Sequence, residues 1–183
     1  MEHRIIISGF GGQGVMLLGK IISYAGMLEG KHVTWFPSYG PEMRGGTANC
    51  TVVISDDPIG SPVVDTPNEL IVMNIPSLLK FEKKVEKNGI IFINSSVVEK
   101  EPERDDVDVV EIPANDIADK LGNPKVANMV MLGVYLFKTD ALRLENVMKA
   151  LRKSLKGKSE ELLNLNEKAI KEGMKYLNSH IHA

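Results

Sequence analysis

Residues 4–26 read RIIISGFGGQGVMLLGKIISYAG, and the reading of this stretch decides the fold. Ile5, Ile6 and Ile7 form an apolar run with the β-branched character of a buried strand. Glycines then stand at 9, 11, 12 and 14, and Val15 opens a stretch with helical character. Gly9, Gly11 and Gly14 occupy the first, third and sixth places of the motif that holds a dinucleotide pyrophosphate between a strand and a helix. Glycine lets the backbone turn tightly and approach a ligand, while the first N–H groups of the helix present partial positive charge to a phosphate. The same spacing also serves a tight strand–helix turn with close packing and no ligand. Both readings are open at this point.

Outward from this unit, short β-rich runs alternate with helical periodicity through the first two-thirds of the chain. Strands are predicted at 4–8, 32–36, 50–55, 69–74, 89–94 and 107–112, and helices at about 15–28, 76–87 and 114–121. Several of the strands are apolar at nearly every residue, as strands covered on both faces are. Residues 124–139, PKVANMVMLGVYLFKT, are apolar almost all round and predict a buried helix. Leu144, Val147, Met148, Leu151 and Leu155 mark one amphipathic helix, and Ile170, Met174, Leu177 and Ile181 mark another. The fold class is therefore α/β: a three-layer Rossmann-like domain with a largely parallel or mixed sheet and C-terminal helices, one domain over residues 1–183. The second and third strands are joined by a long loop instead of a helix, which points to an antiparallel part of the sheet.

Several function classes are disfavoured. A nicotinamide-binding fold ends its second strand in an acid about 20 residues past the glycines. Here HVTWF runs into Pro37, Ser38, Tyr39 and Gly40, and the nearest acid is Glu42. Cys50, the single cysteine, excludes an internal disulfide and an all-cysteine iron–sulfur cluster, and it reads as a buried strand thiol. His180 and His182 have no third ligand nearby and read as a helix end, so no metal site is expected. A formal net charge of -2, with no cationic stripe, gives no footprint for nucleic acid. No apolar run approaches the roughly 20 residues of a bilayer span. The chain opens almost at once on a strand, which leaves no room for a targeting segment and predicts a cytoplasmic location.

The loop FPSYGPEMRGGTANC, residues 36–50, is long for a compact domain, and loops of this kind are usually functional. Its start is expected beside the glycine loop, at the C-terminal edge of the strands where α/β folds bind ligands. Arg44 then suits a phosphate or carboxylate through its planar fork, or forms a surface pair with Glu42. Phe10, Met43 and Met73 are expected at the same edge, poorly buried and available for docking.

Taken together, GFGGQG, SYGPEMRGG and the later NMVMLG closely resemble the gamma subunit of 2-oxoacid:ferredoxin oxidoreductases, over essentially the whole chain. The form is most similar to the 2-oxoglutarate and branched-chain 2-oxoacid enzymes, with pyruvate and indolepyruvate enzymes as alternatives. The resemblance implies oxidative decarboxylation of a 2-oxoacid to an acyl-CoA with reduction of ferredoxin. It implies that thiamine diphosphate and iron–sulfur clusters sit on partner alpha, beta and ferredoxin-like delta subunits, and that this chain alone binds no cofactor. It further implies a contribution to the coenzyme A site from Gly9, Phe10, Gly11, Gly12, Gln13, Gly14, Ser38 and Arg44. No catalytic residue is expected on this chain. A purely structural subunit of the same complex is the other reading.

Overall fold

The computed structural model of the chain describes residues 1–38 and 47–181. In these residues the strands are β1 (Glu2–Gly9), β2 (His32–Ser38), β3 (Ala48–Ser55), β4 (Glu69–Val72), β5 (Ile90–Asn94) and β6 (Asp108–Ile112). They form one sheet in the order β2-β3-β1-β4-β5-β6. β1–β4, β4–β5 and β5–β6 are parallel, and β3 is antiparallel to both β1 and β2. The sheet is thus mixed, with its antiparallel part where the long loop replaces a helix. Among the described residues no helix is long and apolar enough to cross a membrane.

Among the described residues the α-helices, interleaved with the strands, are α1 (Val15–Leu28), α2 (Ile75–Phe81), α3 (Ala114–Lys120), α4 (Ala127–Thr139), α5 (Leu144–Ser154) and α6 (Glu160–Ile181). Alternate residues of each strand point to opposite faces. Ile5, Ile7, Val52, Ile71 and Phe92 pack with residues of α1, α3, α4, α5 and α6. Ile6, Val53, Leu70, Val72 and Ile91 pack with Leu78 and Phe81 of α2 and with loop residues such as Val64 and Val98. One face therefore carries five helices, and the third layer is a short helix helped by loops.

The helix expected over 76–87 is shorter than its pattern. It ends at Phe81 and tightens into a 3₁₀ turn, Glu82–Lys84. The Arg104 guanidinium donates to the carbonyls of Glu82 at 3.0 Å and Val85 at 2.9 Å, so a side chain takes acceptors that a continuing helix would use. The apolar run from 124 opens as a 3₁₀ turn, Pro124–Val126, before α4 begins. Strand 69–74 stops at Val72, and the remaining strands match their predictions to within two residues at each end.

α4 is buried from Ala127 to Leu136, between the sheet and α6. Two glycines set that crossing. A Cβ at Gly133 would lie 1.9 Å from the Ile170 carbonyl oxygen, and one at Gly173 would lie 2.1 Å from that of Val130. The two backbones therefore touch directly. On the sheet side, Tyr135 donates to Glu69 Oε2 at 3.0 Å, and His3 Nδ1 stands 2.7 Å from Glu69 Oε1. These three buried polar groups satisfy one another at the bottom of the sheet.

Two expected outcomes follow from this packing. Gly→Ala in a helix normally stabilises by about 1 kcal/mol. Here Gly133→Ala and Gly173→Ala should each destabilise by at least about 2 kcal/mol through overpacking, a fall in Tm of roughly 4–8 °C for a chain of this size. Circular dichroism melting tests this, and an unchanged or raised Tm would contradict the backbone contact. Cys50 is fully buried, and burial pushes its thiol up to about 12 against weaker opposing hydrogen bonds. The unfolded thiol ionises at its ordinary value of 9.0 while the folded one keeps its proton. Stability from this group is therefore complete below pH 9 and is lost as pH rises towards 12. Native protein should resist iodoacetamide at pH 8 and react fully in urea, and Cys50→Ala should flatten the alkaline decline of the urea midpoint.

Candidate functional site at the switch point of the sheet

The two central parallel strands send their chains in opposite directions. β1 leads through α1 to β2, beyond β3, whereas the neighbouring β4 leads through α2 to β5. α1 and α2 pack on opposite faces, so a crevice opens outside the C-terminal ends of β1 and β4. Open α/β sheets bind ligands at such a switch point.

The glycine loop is held there by one side chain. Gln13 Oε1 accepts from the Phe10 N–H at 2.6 Å, and Gln13 Nε2 donates to the Met73 carbonyl at 2.8 Å. The amide thus closes its own loop and ties it to the end of β4. Gly9 lies beneath this clamp, where a Cβ would come within 2.7 Å of both Gln13 Oε1 and Met73 Cβ. Gly14 caps α1 with φ 76°, in the left-handed region that glycine favours. A Cβ there would also meet Asn128, whose Nδ2 donates to the Gly14 carbonyl at 3.2 Å. No side chain caps α1, and its first turn carries no acid, so its leading N–H groups face the crevice without a built-in anion. Gly11 and Gly12 are exposed, with nothing within 4 Å of where a Cβ would sit. The loop is rigid at its feet and open at its tip.

Beside this tip lies a cleft of about 190 Å³, lined by Gly12, Gln13, Met73, Asn115, Pro124, Lys125, Ala127 and Asn128. Asparagines at the strand ends shape its surroundings. Asn74 Oδ1 caps α2 by accepting from the Ser77 N–H at 2.8 Å. Asn94 Oδ1 accepts from the Ala114 N–H at 3.2 Å, and its Nδ2 donates to Asn115 Oδ1 at 2.8 Å. The cleft offers amides, backbone and one ammonium beside the apolar Met73, Pro124 and Ala127. Among the described residues no group of three or more His, Cys, Asp or Glu stands ready for a metal ion.

The structure brings Gly9, Phe10, Gly11, Gly12, Gln13 and Gly14 together at this edge, with different tasks. Gly9, Gln13 and Gly14 are engaged in packing and hydrogen bonding, while Phe10, Gly11 and Gly12 face outward. Ser38 is exposed, and its pairing with Asn49, which in turn pairs with Ser8 of β1, puts it at the same edge. One strand separates it from the glycine loop, a gap of about 10 Å at ordinary strand spacing. Arg44, Glu42 and Met43 lie outside the described residues. Met73 corrects an expectation: it is 1% exposed beneath Gly9, so it offers no docking surface, whereas Phe10 is 40% exposed. Sequence reasoning passed over Asn74, Asn94, Asn115, Lys125 and Asn128. One signal was visible, since the runs ELIVMN and GIIFIN both end in asparagine at a strand's C-terminus.

Residues 4–176 match the pyruvate ferredoxin/flavodoxin oxidoreductase family. The ketoisovalerate oxidoreductase subunit VorA of Methanothermobacter thermautotrophicus is 39% identical over 181 residues, covering 98% of this chain and 37% of its own length. The chain thus spans a little over a third of that relative. The 2-oxoglutarate synthase subunit KorC of Methanocaldococcus jannaschii is 37% identical, with 88% of each chain covered. Among solved structures, the gamma subunit of a keto/oxoacid ferredoxin oxidoreductase from Geobacter sulfurreducens superposes with a TM-score of 0.81 at 28% identity, covering 94% of this chain and 96% of its own. A 2-oxoglutarate:ferredoxin oxidoreductase from Magnetococcus marinus, with 2-oxoglutarate, coenzyme A and succinyl-CoA bound, shares the fold with a TM-score of 0.88 at 22% identity, over 97% of this chain and 31% of its own. The chain belongs to the pyruvate ferredoxin/flavodoxin oxidoreductase family and resembles its gamma subunits over nearly its whole length.

Proposed function

We propose that this chain is the gamma subunit of a cytoplasmic 2-oxoacid:ferredoxin oxidoreductase and lends its glycine loop to the coenzyme A site. The 2-oxoacid is 2-oxoglutarate or a branched-chain 2-oxoacid, in keeping with the ketoisovalerate and 2-oxoglutarate relatives. Alpha, beta and ferredoxin-like delta subunits carry the thiamine diphosphate and iron–sulfur clusters, and ferredoxin accepts the electrons. The isolated chain is inactive in this reading. The observation that carries it is the clamped loop itself: an uncapped helix start behind two exposed glycines, at the switch point of the sheet. An open tip on a fixed base suits a phosphate chain laid against backbone N–H groups. The proposed contacts are Gly9 to Gly14, Ser38 and Arg44, of which Arg44 rests on sequence alone.

Gly11 supplies the direct test, because a side chain there meets no neighbour and its φ is not left-handed. In the assembled complex, Gly11→Glu should leave folding intact and raise the coenzyme A KM about tenfold or more by setting a carboxylate where phosphate binds. The 2-oxoacid KM should hold. A coenzyme A constant that does not move would remove the loop from the site. Arg44→Ala should cost about ten- to a hundredfold in coenzyme A affinity, the range for a hydrogen bond to a charged group. Arg44→Lys should recover only part, lacking the bidentate fork. If Arg44 instead holds the subunits together, size-exclusion chromatography of the Ala variant will show dissociation, with all substrate constants affected.

A further inference from the structure

We propose that Lys125 is a phosphate-contacting residue that completes an anion cleft whose other wall is the glycine loop. This rests on the coenzyme A reading above and adds a contact it does not contain. Lys125 lies on the 3₁₀ turn Pro124–Val126, where its own N–H donates to Asn123 Oδ1 at 3.0 Å. The side chain therefore starts from a fixed backbone. It is exposed, lines the cleft together with Gly12 and Gln13, and forms no ion pair among the described residues. None of the described residues lining the cleft is Asp or Glu. α1 has no side-chain cap, so its N-terminus adds partial positive charge to the same space, whereas the turn that leads into α4 is capped by Asn123.

A second observation points to an occupant independently. Asn128 is 4% exposed and lines the cleft, with its Nδ2 committed to the Gly14 carbonyl. Its Oδ1 is buried and has no hydrogen-bond donor. Buried acceptors in native proteins are nearly always paired, so an occupant that brings a hydrogen-bond donor to this wall would suit the cleft. A phosphoester with a neighbouring hydroxyl or N–H answers both demands. The volume, about 190 Å³, falls below the roughly 300–1,000 Å³ of sites that enclose a whole small molecule, so the cleft takes only part of the ligand. Coenzyme A offers two such parts: the diphosphate in the middle of the molecule and the 3′-phosphate beside a ribose hydroxyl.

The test compares coenzyme A with dephospho-coenzyme A in steady-state assays of the assembled oxidoreductase. Lys125→Ala should raise the coenzyme A KM about tenfold, the worth of one charge-assisted contact. Lys125→Arg should restore most of the loss, Lys125→Glu should exceed it, and added salt should shrink the differences. A penalty that vanishes with dephospho-coenzyme A places Lys125 on the 3′-phosphate, and one that persists places it on the diphosphate. Either result supports the contact. An unchanged KM for both ligands in Lys125→Ala overturns it. Gly11→Glu in the same assay separates the two ideas: if it alone raises the coenzyme A KM, the loop reading stands and the Lys125 contact falls. If neither variant does, both fall.

Discussion

The backbone contact between α4 and α6 at Gly133 and Gly173 is the constraint on which the rest of the molecule depends. α4 is the apolar helix that covers the sheet, and it cannot lie flat against both the sheet and α6 unless one layer is thin. Glycine on each helix removes the side-chain thickness at the crossing. With α4 settled, its far end reaches the sheet through Tyr135 and the buried Glu69 carboxylate. Its near end reaches the glycine loop through Asn128 and the Gly14 carbonyl. The position of the cleft is thus a consequence of helix packing some distance away.

At the cleft, the glycines divide into two kinds. Gly9 and Gly14 are required by their neighbours, because a Cβ at either would strike Gln13, Met73 or Asn128. Gly12 has φ 89°, in the left-handed region that favours glycine, but Gly11 has neither a close neighbour nor a positive φ, so nothing within this chain requires a side chain to be absent at Gly11. A small residue facing open space makes sense where another molecule approaches the backbone. In the proposed coenzyme A site, the Gln13 clamp would remove freedom from the loop before the ligand arrives and so lower the ordering cost of binding.

Much of this was legible in the sequence. The run Ile5–Ile7, the glycines and the helix after them identify a strand–loop–helix unit, because period and glycine spacing are local properties. The same holds for the long loop between β2 and β3, whose lack of a helix already implied antiparallel pairing. Helix lengths were less legible where a distant group intervened: Arg104 ends α2 by binding the carbonyls of Glu82 and Val85, and nothing near residue 82 announces it. Met73 was misjudged for a related reason. Its place at a strand end suggested exposure, and the Gly9 backbone covers it instead.

By itself, then, the sequence determined the α/β class, the apolar stripes of the last two helices and the place of the glycine loop at a strand's C-terminal edge. Those features follow from the two- and 3.6-residue periods and from backbone rules that act within a few residues. Only the tertiary structure decided that Gln13 clamps to Met73, that Asn128 meets Gly14, that Gly133 and Gly173 let two helices touch, and that Lys125 lines the same cleft as the loop. Each of these joins residues far apart in the chain or on separate elements, and side-chain contacts of that kind depend on how helices stack on the sheet. No local pattern encodes the stacking distance, which is set by the summed volumes of side chains that meet only after the chain has folded.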